Sequence, residues 1–159
     1  MSIEPQPTSE VSGLLRLRLW VRLLRAVRPI EAELRRRLAH EFGVTLPKFD
    51  VMAALARREA GMTMTEVSRF LMVSNGNVTG LVNRLVAEGL VVRVANRDDR
   101  RATFVRLTRK GVRLFETMAG AHERWVNEIL STLSDEQSET MIGLLDTVRK
   151  EARLGGRSR

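Results

Sequence analysis

Apolar positions along this chain change their period three times, and each change marks a new kind of element. From Val11 to about Phe42, Leu17, Trp20, Leu24, Val27, Leu34 and Leu38 recur at roughly helical spacing, with arginines at 16, 18, 22, 25, 28, 35, 36 and 37 between them. This predicts a long first helix, which Pro29 kinks or splits in two and Gly43 ends as its C′ residue. More of its circumference is apolar than one neighbour can cover, so it is expected to pack against another chain. Pro47 opens a second helix through about Arg58, with Phe49, Met52 and Leu55 facing inward.

Two short helices with clear start signals follow. Thr63 and Glu66 form a T-x-x-E capping box, with Met62 and Val67 placed as a hydrophobic staple. Ser74 is placed to cap the next helix, and Gly89 to stop it in the left-handed conformation, bringing Leu90 back onto Leu85. Joined by the tight link Leu71–Val73, the pair is a helix-turn-helix candidate. The period then falls to two: LVVRVA at 90–95 and ATFVRL at 102–107 read as strands joined by a polar segment, a hairpin with a charged tip. Thr108 caps a helix to about Leu130, and Ser134 with Gln137 starts a last one to about Leu154. The fold class is mainly α with a small β-hairpin wing.

Within the helix from Asn75 to Glu88, Val78, Leu81, Val82 and Leu85 make one buried face. The opposite side shows Asn75, Thr79 and Asn83, flanked by Asn77 and Arg84. Such groups suit base edges in a major groove, where Asn reads adenine and Arg reads guanine; an ordinary polar surface face is the alternative. Gly76 and Gly80 each cost about 1 kcal/mol relative to Ala in a helix, which suggests close approach there by a phosphate backbone or a packed helix. The hairpin tip NRDDRR adds to the case. Beside a helix-turn-helix it can lay Arg97 or Arg100 into a minor groove, while Asp98 pairs with Arg101 and holds the loop's shape; standing free, it would be a solvated turn.

Charge points the same way. The 159 residues carry 27 Lys plus Arg against 19 Asp plus Glu, a net +8, which favours polyanionic partners. The absence of cysteine excludes disulfides, thiolate metal sites and thiol redox sensing. The polar start MSIEPQPTSE has no signal-peptide pattern and no apolar run reaches membrane-span length, so a cytoplasmic address is expected. His40 and His122 could join Glu41 or Glu123 at a metal, but isolated histidines near helix ends are more often structural or exposed, and no metal site is expected. With no Tyr, no Cys, no ordered Ser–His–Asp set and no glycine-rich phosphate loop followed by Lys, an enzyme is disfavoured.

The run from Leu46 to Leu107 resembles the DNA-binding lobe of the MarR family of winged helix-turn-helix transcription regulators. The residues that carry the likeness are LPKFDVMAAL, GMTMTEVSRFLMVSNGNVTGLVNRLVAEGLV, the wing signature DDRR and the following VRLT. The resemblance implies a helical dimerisation and ligand region at 10–45, a DNA-binding lobe at 46–108 and dimerisation helices at 109–154; residues 1–9 and 155–159, without apolar anchors, read as flexible tails. It also implies an obligate homodimer on a near-palindromic operator, with half-sites about one helical turn, ~34–36 Å, apart. Leu133, Met141, Leu144, Leu145 and Val148 suit the dimer seam. DNA contacts are expected from Ser74, Asn75, Asn77, Thr79, Asn83, Arg84, Arg97, Arg100 and Arg101, with Asp98 as wing brace.

Regulators of this family commonly bind small aromatic acids or their derivatives. The SNGNVTG segment and the arginine-rich first helix look most similar to regulators of aromatic, notably hydroxycinnamate, breakdown, some of which respond to CoA thioesters. The expected effector is therefore an aromatic acid or its CoA thioester, and no cofactor is expected. An apolar slot lined by Trp20, Phe49, Met52, Phe115 and Trp125, with Arg25 and His122, can take an aryl group while arginines hold phosphates. Each aromatic also has a plain reading as core. The competing class is an architectural, sequence-blind DNA-binding protein, against which the Asn/Thr/Arg display counts, because a sequence-blind binder more often shows Lys.

Overall fold

The computed structural model describes residues 8–95 and 103–155. Helix α1 runs Thr8–Phe42 as one element with Pro29 inside it, so of the two expected outcomes, a kink or a split, the split does not occur. Pro29 removes one helical N–H and crowds the carbonyl of Arg25, but both residues are exposed and water can take that carbonyl. Gly43, at φ +63°, turns the chain out of the helix, its N–H reaching the Ala39 carbonyl at 3.1 Å.

Helix α2, Leu46–Ala56, with Pro47 in its first turn, lies at the centre of the fold. It contacts α1, α3 (Met64–Leu71), α4 (Asn75–Ala87) and strand β3 (Thr103–Leu107). Phe49, Val51, Met52, Ala54 and Leu55 are accordingly buried, and Val67 from α3, Val78, Val82 and Leu85 from α4, and Val105 from β3 close over them. The Thr63–Glu66 capping box forms in full, with the Glu66 N–H on Thr63 Oγ1 at 3.2 Å and the Thr63 N–H on Glu66 Oε2 at 2.8 Å. That backbone bond, helped by Arg58 at 2.8 Å, holds the Glu66 carboxyl below the usual range.

The link between α3 and α4 is Met72–Ser74, one residue later than expected. Met72 makes the bend with φ 55°, a conformation that side chains other than glycine rarely adopt. Ser74 occupies the N-cap position of α4, but its hydroxyl makes no capping bond. Strands β2 (Val91–Ala95) and β3 form the expected antiparallel hairpin, pairing Val91 with Leu107 and Ala95 with Thr103. A third strand, β1 (Met62–Thr63), completes a sheet of order β1-β3-β2. A strand of two residues has no room to show an alternating pattern, so the sequence does not reveal it.

The junction after the hairpin ties three elements together. Thr108 Oγ1 accepts from the Gly111 N–H at 3.0 Å, capping α5 (Arg109–Leu130), and donates to the Gly89 carbonyl at 2.7 Å. The Thr108 N–H and Leu90 carbonyl meet at 3.0 Å, and Lys110 Nζ reaches the Glu88 carbonyl at 2.9 Å. The chain falls into two compact units, Met1–Glu123 and Arg124–Arg159. In the second, α6 (Asp135–Gly155) starts on the expected box, with the Gln137 N–H on Ser134 Oγ at 3.2 Å and the Ser134 N–H on Gln137 Oε1 at 2.9 Å. Met141, Ile142, Leu144, Leu145 and Val148 on α6 are exposed, and Leu133 before it is half-buried.

Gly111 permits the closeness of this junction. A Cβ there would stand 2.0 Å from the Leu90 carbonyl oxygen, whereas at Gly13 on α1 it would meet nothing within 4 Å. Gly111→Ala should therefore lower stability by about 1–3 kcal/mol, and Gly13→Ala should leave it equal or raise it by up to ~1 kcal/mol. Urea unfolding of the two variants checks this; equal midpoints would show that the junction tolerates a side chain.

Candidate nucleic-acid interface

Helix α4 divides cleanly between core and solvent. Val78, Val82 and Leu85 are wholly buried and Leu81 is half-buried, while Asn75, Asn77, Thr79, Asn83 and Arg84 are exposed, as is Ser74 at its start. The fold thus holds a row of polar side chains at the surface on one turned-out side of a helix whose other side is anchored. A Cβ on Gly76 would meet nothing within 4 Å, and one on Gly80 only Arg84 Nη2 at 3.8 Å. Among the described residues, no packed helix therefore accounts for the two glycines.

Hydrogen bonds set which functional groups this row has left to offer. Thr79 Oγ1 donates to the Asn75 carbonyl at 2.8 Å, leaving its lone pairs and methyl outward. Arg84 Nε donates to the Gly80 carbonyl at 3.3 Å, which leaves its terminal nitrogens as donors. Arg93, on β2, donates through Nη2 to Asn83 Oδ1 at 2.5 Å. Donors and acceptors of these kinds can bond to base edges in a major groove. The sequence reading missed Arg93. Its one signal was an arginine inside the otherwise apolar run LVVRVA, and its meeting with α4 depends on a packing that periodicity does not encode.

The C-terminal end of α4 is held by charge as well as by the junction described above. Lys48 on α2 pairs with the Glu88 carboxylate, and Lys110 binds the carbonyl of the same residue. Arg97, Asp98, Arg100 and Arg101, expected to tip the wing, lie outside the described residues; β2 ends at Ala95 and β3 starts at Thr103.

A second cluster is aromatic. The Phe49 ring lies 4.8 Å from that of His122, nearly parallel to it, and 5.7 Å from that of Phe115. Phe49 is buried, and Phe115 and His122 are half-buried. Burial pushes the His122 imidazole below its usual range, so the stacked ring is neutral at pH 7. Asp50, next to Phe49, is pushed up by burial and by Glu31 of α1. Of the other residues expected at a ligand slot, Met52 has no exposed surface, Trp20 (57% exposed) and Arg25 are open on α1, and Trp125 is buried in the second unit. The structure thus brings together Phe49, Phe115 and His122.

Among the described residues no group of three or more His, Asp or Glu side chains is placed to hold a metal ion. No described helix is long and apolar enough to cross a membrane.

Comparison with known proteins places this geometry. A sequence model of the MarR family matches residues 42–102, the stretch from the end of α1 to the start of β3. The HTH-type transcriptional regulator MhqR of Bacillus subtilis is 28% identical over 137 residues, which cover 86% of this chain and 93% of that protein. The crystal structure of a MarR family transcriptional regulator from Silicibacter pomeroyi superposes with a TM-score of 0.76 at 35% identity, covering 89% of this chain and 97% of the other. A mutant MarR from E. coli, solved in complex with operator DNA, superposes with a TM-score of 0.72 at 25% identity, covering 91% and 99%.

Proposed function

The chain belongs to the MarR family of DNA-binding transcription regulators, and from that premise we propose that it is a ligand-released repressor acting as a homodimer on a near-palindromic operator. The observation that carries the reading is the α4 surface: five exposed polar side chains backed by a helix face withdrawn from water. Ser74, Asn75, Asn77, Thr79, Asn83 and Arg84 meet the major groove, and the wing arginines 97, 100 and 101 meet the adjacent backbone or minor groove, with Asp98 bracing the loop. The net charge of +8 adds counterion release to the binding.

Dimerisation uses apolar surface that one chain leaves in water. Leu17, Trp20 and Val21 on α1 and Leu144, Leu145 and Val148 on α6 are all exposed, and exposed apolar area of this kind marks an interface. The two dimer-related copies of α4 then lie about one turn of B-DNA apart. A cytoplasmic location follows from work on chromosomal DNA.

The effector is an aromatic acid or its CoA thioester, and the regulated genes serve aromatic, notably hydroxycinnamate, breakdown. Support comes from the resemblance of the first helix and the SNGNVTG segment, and from the Phe49–Phe115–His122 cluster, in which the half-buried Phe115 and His122 leave ring surface that suits an aryl group. Met52 has no exposed surface to offer a ligand, so these three rings carry the assignment. The stack is one residue from a contact to α4: Phe49 sits in it, and Lys48 pairs with Glu88. A ligand that shifts the start of α2 therefore bears on the end of the DNA-reading helix.

Specific binding is measured as affinity for a selected operator against a scrambled duplex. Asn83→Ala and Arg84→Ala should each cost about 1–3 kcal/mol on the operator and far less on the scrambled duplex. Equal losses on both would show that these residues only hold phosphate and would favour a sequence-blind coating protein. For the effector, an aryl-CoA thioester should release labelled operator at lower concentration than the free acid. Calorimetry showing tight binding of the free acid and none of the thioester would overturn that assignment.

A further inference from the structure

The exposed side chains of α4 are not equally free to read a base, and the difference comes from the strand beside it. On the reading of α4 as the base-contacting helix, we infer that Arg93 is a specificity-determining positioning residue: it fixes the Asn83 amide so that Asn83 reads guanine rather than adenine.

Each group can donate or accept only in certain ways. An asparagine amide has an acceptor oxygen and a nitrogen with two donors, and the two ends exchange when it turns over. A guanidinium has donors only, so it can meet the amide oxygen and never the amide nitrogen. The contact from Arg93 Nη2 to Asn83 Oδ1 therefore sets the orientation of the amide. Turning it over would place donor against donor and lose a charge-assisted bond, the stronger kind of hydrogen bond. The origin of the Arg93 side chain is itself fixed, because Arg93 pairs with Val105 at the centre of the β2–β3 ladder.

With its oxygen held toward the strand, Asn83 has its NH2 group left for the groove. Adenine presents an acceptor, N7, beside a donor, its amino group, and an asparagine that grips both needs both halves of its amide. An adenine amino group approaching the remaining lone pair of Oδ1 meets the positive guanidinium beside it. Guanine presents two acceptors, N7 and O6, and suits a donor alone. Next along the helix, the terminal nitrogens of Arg84 are likewise donors, its Nε being held by the Gly80 carbonyl. The C-terminal half of the α4 surface is thus biased toward acceptor edges.

The test is selection of binding sites from a randomised duplex library with the wild-type protein, Asn83→Ala, Arg93→Met and Arg93→Lys, each first shown by thermal melting to be folded. Asn83→Ala identifies the base pair in question as the position whose preference it relaxes. At that position the wild type should prefer guanine over adenine by on the order of tenfold. Arg93→Met should erase or reverse that preference and leave the other positions unchanged, and Arg93→Lys, still a donor-only cation, should keep it. A wild-type preference for adenine there would overturn the inference. So would an unchanged preference in Arg93→Met with affinity falling uniformly on all sequences, since Arg93 would then only hold phosphate. If Asn83→Ala relaxes a position and Arg93→Met does not, only the role of Arg93 fails. If the wild type enriches no sequence at all, the base-reading role of α4 fails with it.

Discussion

Burial of one side of α4 is the constraint on which the rest depends. Val78, Val82 and Leu85 are fully withdrawn from water, and each such side chain contributes about 1.5–3 kcal/mol by burial. Rotating the helix about its axis would expose them, so their burial fixes which residues point outward. Asn75, Thr79 and Asn83 follow from that rotation because the helical repeat leaves them nowhere else to go. The interface is in this sense the complement of the core: its side chains are placed by what the neighbours on the other face require.

Position along the axis is set separately. At the C-terminal end, Gly89 turns the chain with φ +71°, and the Leu90 N–H returns to the Leu85 carbonyl at 2.9 Å. Thr108 and Lys110 then hold the Gly89 and Glu88 carbonyls from the start of α5, and Lys48 holds the Glu88 carboxylate from α2. The end of the helix is therefore fastened to the two elements that also supply the aromatic stack, α2 with Phe49 and α5 with Phe115 and His122. On the proposed function, this shared anchorage is the route by which a ligand at these rings would bear on DNA.

Much of this was legible in the sequence because its cues are local. The Thr63–Glu66 and Ser134–Gln137 boxes, the Gly43 and Gly89 stops and the hairpin strands each depend on residues within a few positions of one another, and each took the expected form. What was not legible depends on the rest of the molecule. Pro29 did not split α1; it and Arg25, whose carbonyl it crowds, are both exposed, where water can take the lost bond. Ser74 took the N-cap position without making the capping bond. Strand β1 exists only because β3 lies beside it, and Arg93 meets Asn83 only because the hairpin packs against α4. The aromatics divided for the same reason. Phe49, Phe115 and His122 share one stack, whereas Met52 went to the core and Trp20 stayed in water.

The central claim is that α4, with its partner copy, meets one face of a duplex at two successive major grooves. Hydroxyl-radical footprinting of the full-length protein on a selected operator measures this directly. Two protected windows, centred about 10–10.5 base pairs apart or a multiple of that, are the predicted result. Continuous protection without discrete windows, or a single window at saturating protein, would contradict it.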